Sequence, residues 1–197
     1  MTDSSGAPLG RVRWKRFAAI AAPAAIGAGA MVFMTAQGSV ASSFAVSGSS
    51  FKVSADRLVG DGFVQYGDVD TDGEGGKHPV QVSGIKNAKI YNMCQSVQVG
   101  PFTLRLTAGT GDAPVEASDL VLDVAQLKAD ATFSNIEIGR DASTLDKGPS
   151  GSKGTAGMFG QQADRIELRG VEQTAWATTA GTFKLSDLHM TLGDECF

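Results

Sequence analysis

Residues 120–139 read LVLDVAQLKADATFSNIEIG. Leu120, Leu122 and Val124 alternate with other residues. After a slip of phase Leu127, Ala129, Ala131 and Phe133 alternate again, and after a second slip Ile136 and Ile138 continue. A period of two over a short run marks a strand with one buried face. A slip between runs marks a bulge or a turn. The same period recurs outward from this stretch: Phe44 and Val46; Phe51, Val53 and Ala55; Phe102, Leu104 and Leu106 within PFTLRLTAG; Ile166 and Leu168; and Phe183, Leu185, Leu188, Met190 and Leu192. Residues 44–197 are therefore expected to form one all-β, antiparallel domain: a curved sheet, a sandwich or an open half-barrel. Their number suffices for a single core.

The segment before this domain is of a different kind. Arg11, Arg13, Lys15 and Arg16 precede an uncharged stretch, Phe17 to Ala36, and the next charged residue is Lys52. A helix of 20 residues at about 1.5 Å per residue crosses a hydrocarbon layer of roughly 30 Å. The expected organisation is a basic cytoplasmic segment (1–16), a transmembrane or signal helix (17–36), a linker (37–43) and an extracytoplasmic domain. Cationic flanks stay on the cytoplasmic side. Two readings compete. The length of the apolar stretch suits a single-pass anchor in the cell membrane. Ser39 and Ala41 suit removal by a signal peptidase after Ala41, which would leave a secreted domain.

Charge divides the chain in the same way. Four cationic groups and Asp3 give the first 41 residues +3, whereas 13 Lys and Arg against 20 Asp and Glu give the rest −7. Phosphate contact needs clustered cations, so nucleic acid is not an expected partner. The chain has two cysteines, Cys94 and Cys196. In an oxidising compartment an even pair most simply forms one disulfide, which would staple the C-terminus to the middle of the chain.

Two stretches, Gly67–Pro79 (GDVDTDGEGGKHP) and Gly139–Gln162, are rich in Gly and Asp and have no apolar period, so both read as loops. The length of the second points to mobility or function. Asp68-x-Asp70-x-Asp72-Gly73 matches the opening of a calcium loop, where alternate carboxylates point inward. Its twelfth position is Pro79 rather than the Glu the motif demands, so the reading is a partial Ca2+ site set against a solvated acidic turn. No other cofactor is expected. The two histidines, His78 and His189, are expected to face solvent and the polar side of a strand. The nearest string to a nucleophile elbow, Gly148-Pro149-Ser150-Gly151-Ser152, fails at its last position. FKVSADRLVGDGF (51–63) resembles FKLSDLHMTLGDECF (183–197), and ADRIELRGV (163–171) shares its core. The likeness reads either as a reused strand–turn unit or as amphipathic strands of similar composition.

GFVQYGDVD (62–70), IKNAKIYNMCQSV (85–97), FSNIEIG (133–139) and the terminal ECF (195–197) carry a resemblance to an uncharacterised family of membrane-targeted proteins of streptomycetes and related actinobacteria. The resemblance runs from the membrane segment to the last residue. It implies a cell-envelope setting. Some such proteins carry a cholesterol esterase label, for which this chain supplies no catalytic residues to carry over.

The expected function is that of a non-enzymatic envelope protein which binds a lipid or other hydrophobic ligand on an apolar β face. Leu120, Leu122, Val124, Phe133, Ile136, Ile138, Ile166 and Leu168 are the candidates to line that face, with core packing as their ordinary role. The alternatives are a structural or protein-interaction module of the envelope and, third, an ester hydrolase.

Overall fold

The computed structural model describes residues 46–197. The segments 1–16, 17–36 and 37–43, and the cleavage position after Ala41, lie outside the described residues. Among the described residues there are nine strands, of which β2 and β3 lie outside the alternating runs: β1 Phe51–Thr71, β2 Lys77–Tyr91, β3 Met93–Val99, β4 Phe102–Ala108, β5 Val115–Ser134, β6 Glu137–Asp141, β7 Phe159–Thr179, β8 Thr182–Lys184 and β9 His189–Leu192. Every pairing between them is antiparallel.

The four longest strands close on themselves. β1 pairs with β2, β2 with β5, β5 with β7, and β7 returns to β1. Closure satisfies the backbone groups that a free edge would leave unpaired. β6 lies on β7, β8 on β5, and β3, β4 and β9 extend in that order from the N-terminal end of β1. The phase slip after Val124 is a register shift of β5 against β7 between Asp123 and Gln126. The second slip is the β5–β6 turn, where Asn135 takes a φ of 52°.

The inward row of each long strand builds the main core, with Leu58 and Phe63 from β1, Ile85 and Ile90 from β2, Leu120 and Leu122 from β5, and Ile166 and Leu168 from β7. Full burial of each such side chain contributes about 1.5–3 kcal/mol before entropy is subtracted. A second core sits on the outer side of β1 and β2. There Val64, Tyr66, Val80 and Val82 meet Ala142 and Leu145.

Those last two residues correct the expectation of a mobile 139–162 loop. After β6 the chain makes a short 3-10 turn, Ala142–Thr144, and then crosses the sheet as a packed strap. Gly148 lies so close over β1 that an added Cβ would stand 2.3 Å from a methyl of Val64. Gln162, fully buried, ties the strap down. Its carbonyl accepts from the amides of Asp146 (2.9 Å) and Lys147 (3.3 Å), and its amide donates to Glu137 and Asp146, each at 3.0 Å. A glycine at 148 is what lets the strap's backbone lie so closely on the Val64 side chain.

Gly67–Pro79 is likewise mostly strand rather than loop. Gly67 pairs with Gln81 and the ladder runs out to Thr71 opposite Lys77. Only Asp72–Gly76 turns, closed by the Asp72 carboxylate, whose Oδ1 accepts from the amides of Glu74 (2.9 Å) and Gly76 (2.7 Å). These hairpin arms lack an apolar period because their ends stand in solvent. The likeness of 51–63 to 183–197 is not structural: the first is unbroken strand, the second two short strands and a tail separated by a turn at Asp187.

Cys94 and Cys196 are joined, with Cα atoms 5.9 Å apart. Both cores and this bond lie within residues 46–197, so this part of the chain carries its own means of folding.

Candidate ligand cavity

The core is not filled. A cavity of about 150 Å³ lies among Phe63, Ile85, Leu122, Val124, Phe133, Ile166 and Leu168. A smaller hollow of about 30 Å³ adjoins it across Leu58, Leu122 and Gln173. The larger one reaches the surface beside the C-terminal half of β5, where Leu127, 38% exposed, Ala129 and Ala131 form its lip. The reason is in the pairing. β2 accompanies β5 only as far as Val124, and beyond that β5 keeps β7 alone. The closed ring thus gives way to an open trough, with Phe133 stacked at an angle on Phe63 at 5.6 Å.

Three polar side chains face this apolar space. Gln65 and Ser83 satisfy one another at 3.0 Å, and Gln161 also donates to Gln65. Gln173 is 6% exposed, borders both hollows and makes no side-chain hydrogen bond among the described residues. Its amide is not cut off from solvent, however: among the described residues the side-chain atoms that are both buried and unpartnered are Asp70 Oδ2 and Arg105 Nε.

Of the residues expected to line an apolar face, Leu122, Val124, Phe133, Ile166 and Leu168 border the cavity, and Leu120 borders the smaller hollow. Ile136 and Ile138 do not. They sit beyond the β5–β6 turn, 37% and 66% exposed. The continuation of alternation past Phe133 suggested one face; the turn at Asn135 sends the chain elsewhere. The residues that sequence reasoning missed are Leu58, Phe63, Ile85 and the three polar ones. Period-two reading of 63–66 fails because Phe63, Val64, Gln65 and Tyr66 are all buried, alternately facing the two cores.

A further hollow, of about 620 Å³, is an open groove lined by Arg57, Asp61, Lys89, Tyr91, Glu116, Arg165 and Lys184 among others. Arg165 pairs with Asp61 at 3.0 Å, Lys184 with Glu116 at 3.2 Å, and Arg57 with Glu167 at 3.0 Å. Exposed pairs of this kind contribute little energy. The groove is a solvated, largely self-neutralised surface and offers weaker recognition than the apolar trough.

The acidic residues Asp68, Asp70 and Asp72 do not act as one group. Asp72 is occupied by His78 Nε2 at 3.0 Å and by the turn amides of Gly76 and Glu74, and these hydrogen bonds, that of His78 foremost, hold its carboxyl below the usual range. His78 is not turned to solvent as expected: its ring stacks on Trp176 with centroids 3.7 Å apart. Among the described residues no three His, Cys, Asp or Glu side chains converge on a position for a metal ion. Asp68 and Asp70 instead face Asp123 and Tyr66. Burial, then Asp70 and Asp68, push Asp123 up to about 6, while burial, then Asp68 and Asp123, push Tyr66 up to about 12. Burial and Asp68 raise Asp70 as well, against the pull of His78. At the strap the opposite holds. Hydrogen bonds from Arg140, Gln162 and Lys147 draw Glu137 down to about 2.

Fold and site together define a small all-β domain whose ring of strands opens on one side into an apolar trough. The chain belongs to a family of unknown function, DUF6230, which it matches over residues 47–197. No curated protein and no solved structure matches it.

Proposed function

We propose that the protein is a non-enzymatic component of the cell envelope, held at the membrane by its N-terminal segment, that takes an apolar chain into the β-ring. The observation that carries this reading is the unfilled trough with Gln173 buried beside it. Its volume is about that of engineered core cavities that take up benzene, so it suits a short alkyl or acyl segment rather than a whole lipid. The remainder of such a ligand would leave by the lip at Leu127 and Ala131. The disulfide agrees with an oxidising compartment outside the cytoplasm.

The test is native mass spectrometry of residues 44–197 isolated from the exported fraction of an actinobacterial host. A bound mass that leaves as an alkyl or acyl compound, and that is lost in Leu122→Trp, where the indole fills the trough, supports the reading. A bare polypeptide that takes up no fatty acid added in excess overturns it.

The alternative, an interaction module of the envelope, draws on Met158 and Phe159, which stand 54% and 55% exposed over a shallow recess beside Pro79 and Ala125. Capture of an envelope protein that depends on Phe159 would favour it. Ester hydrolysis by a histidine would have to use His78 or His189, and unchanged ester turnover after Ala substitution at each would remove that mechanism.

A further inference from the structure

Cross-strand pairs lay out the open groove on the outer face of the ring. Arg57 of β1 stands opposite Tyr91 of β2. In the next row Val59 stands opposite Lys89, Lys89 opposite Glu116 of β5, and Glu116 opposite Lys184 of β8. In the third, Asp61, Asn87, Ser118 and Thr182 follow one another across the same four strands. Paired residues point to the same side, so the rows share one face. Leu58, between Arg57 and Val59, points the other way and borders the trough. The groove, at about 620 Å³, has the volume of a ligand site. Past Asp61 and Asn87 it runs on into a second hollow, of about 500 Å³, beside Lys86 and Lys147.

The acids of the groove are all matched. Asp61 meets Arg165, Glu116 meets Lys184, and Glu167 at the flank serves both Arg57 and Arg169. Cations are left over. Lys89 is in no ion pair among the described residues, and one carboxylate is shared by two arginines. This local surplus sits on a domain that is acidic as a whole. Arg57 is half-buried, with its guanidinium 5.7 Å from the centre of the Tyr91 ring, and donates to Glu167 through Nε at 3.0 Å. Its two terminal nitrogens, the fork that grips a planar anion, have no partner among the described residues. Lys89 lies diagonally across from Arg57 on the neighbouring strand, within reach of the same anion. Next to Lys89 comes the row of Asn87, Ser118 and Thr182, whose side chains make no hydrogen bond among the described residues.

We propose that this groove binds an acidic oligosaccharide, its anionic group held by Arg57 and Lys89 and its hydroxyls by Asn87, Ser118 and Thr182. The cationic surplus selects an anion. The neutral polar row beside it, an amide and two hydroxyls, suits a polyhydroxylated carrier. Apart from Tyr91, already under Arg57, the lining offers no aromatic face on which a base could stack, and only Val59 and two alanines as apolar contact for a peptide anchor. Carboxylate and phosphate share the anion's chemistry, and the test separates them. The groove lies on the opposite face of the sheet from the trough, and neither reading depends on the other.

The experiment is an amide NMR titration of residues 44–197 with four probes: tetragalacturonate, glucose phosphate, the neutral sugar maltotetraose and tetraglutamate. The expected result is saturable shifts at Arg57, Lys89 and Ser118 with an acidic sugar, the tighter of the two naming the anion. Maltotetraose should bind at least about tenfold more weakly. Arg57→Gln and Lys89→Gln should each weaken the acidic sugar about tenfold. Lys128→Gln, in an exposed pair outside the groove, should leave it unchanged. The amide spectrum of each variant reports whether the fold is retained, and exposed Lys89 is the substitution least able to disturb it. No saturable shift with either acidic sugar overturns the proposal, as does equal binding of maltotetraose or an affinity indifferent to both cation substitutions. Tighter binding of tetraglutamate than of either acidic sugar also overturns it, in favour of an acidic peptide in the groove.

Discussion

Gln162 and Gln173 are both buried glutamines on β7, and they do opposite work. Gln162 makes four hydrogen bonds to three residues and fixes the strap; replacement by Leu leaves the amides of Asp146 and Lys147 without an acceptor. That loss should cost about 2–4 kcal/mol in chemical denaturation. Gln173 faces an apolar hollow without a partner among the described residues. Its amide keeps some contact with solvent, so Gln173→Leu should shift the stability of the empty domain by less than about 1 kcal/mol, read by the same denaturation, while weakening retention of an alkyl ligand with a polar end. Asp123 gives a pH signature. Its folded-state carboxyl titrates near 6, above the ordinary value of 3.8, so between those values the folded chain holds more proton than the unfolded one. Stability that comes from the protonated form is present at low pH and lost as pH rises through about 6. Asp123→Asn should melt with the wild type at pH 4 and above it at pH 7. Glu137, Asp141, Asp164 and Glu167 are shifted downward and oppose this, losing stability in stronger acid.

Among the elements, the strap and the trough are what distinguish this domain from a simple closed ring of strands. The strap needs a glycine where it passes over Val64. Gly148→Ala would press a methyl into Val64 and should lower the melting temperature by several degrees, a cost of about 1–3 kcal/mol. Val64→Ala in the same chain should recover part of the loss, which separates a clash from a general effect. The trough follows from strands that part: past the Gln81–Val124 pair β2 continues to Lys77 on β1 and β5 continues to Ser134 on β7, so that part of β5 has no neighbour on one side. Alternation in 120–133 revealed β5 and its bulge from sequence. It could not reveal the missing neighbour, because a strand carries no mark of how far its partner extends.

For the molecule as a whole, the long-range bond decides how the last residues are held. The Cys94–Cys196 link closes a loop of 102 residues, for which the chain-entropy account gives about 4–5 kcal/mol. Cys94→Ser with Cys196→Ser should lower thermal stability markedly and free the tail from Ser96, seen as rapid amide exchange at Cys196→Ser and its neighbours while the ring strands stay protected. Period-two alternation, the even pair of cysteines and the glycine-rich breaks were enough by themselves to determine an all-β antiparallel domain with one disulfide, because strand polarity and thiol pairing are written residue by residue. Only the tertiary structure decided that β7 returns to β1, that the Gly139–Gln162 stretch is packed rather than loose, and that Gln173 rather than Ile138 borders the trough. Those outcomes depend on which strands meet and on how closely backbones approach, and both are set by the summed packing of distant segments rather than by any local pattern.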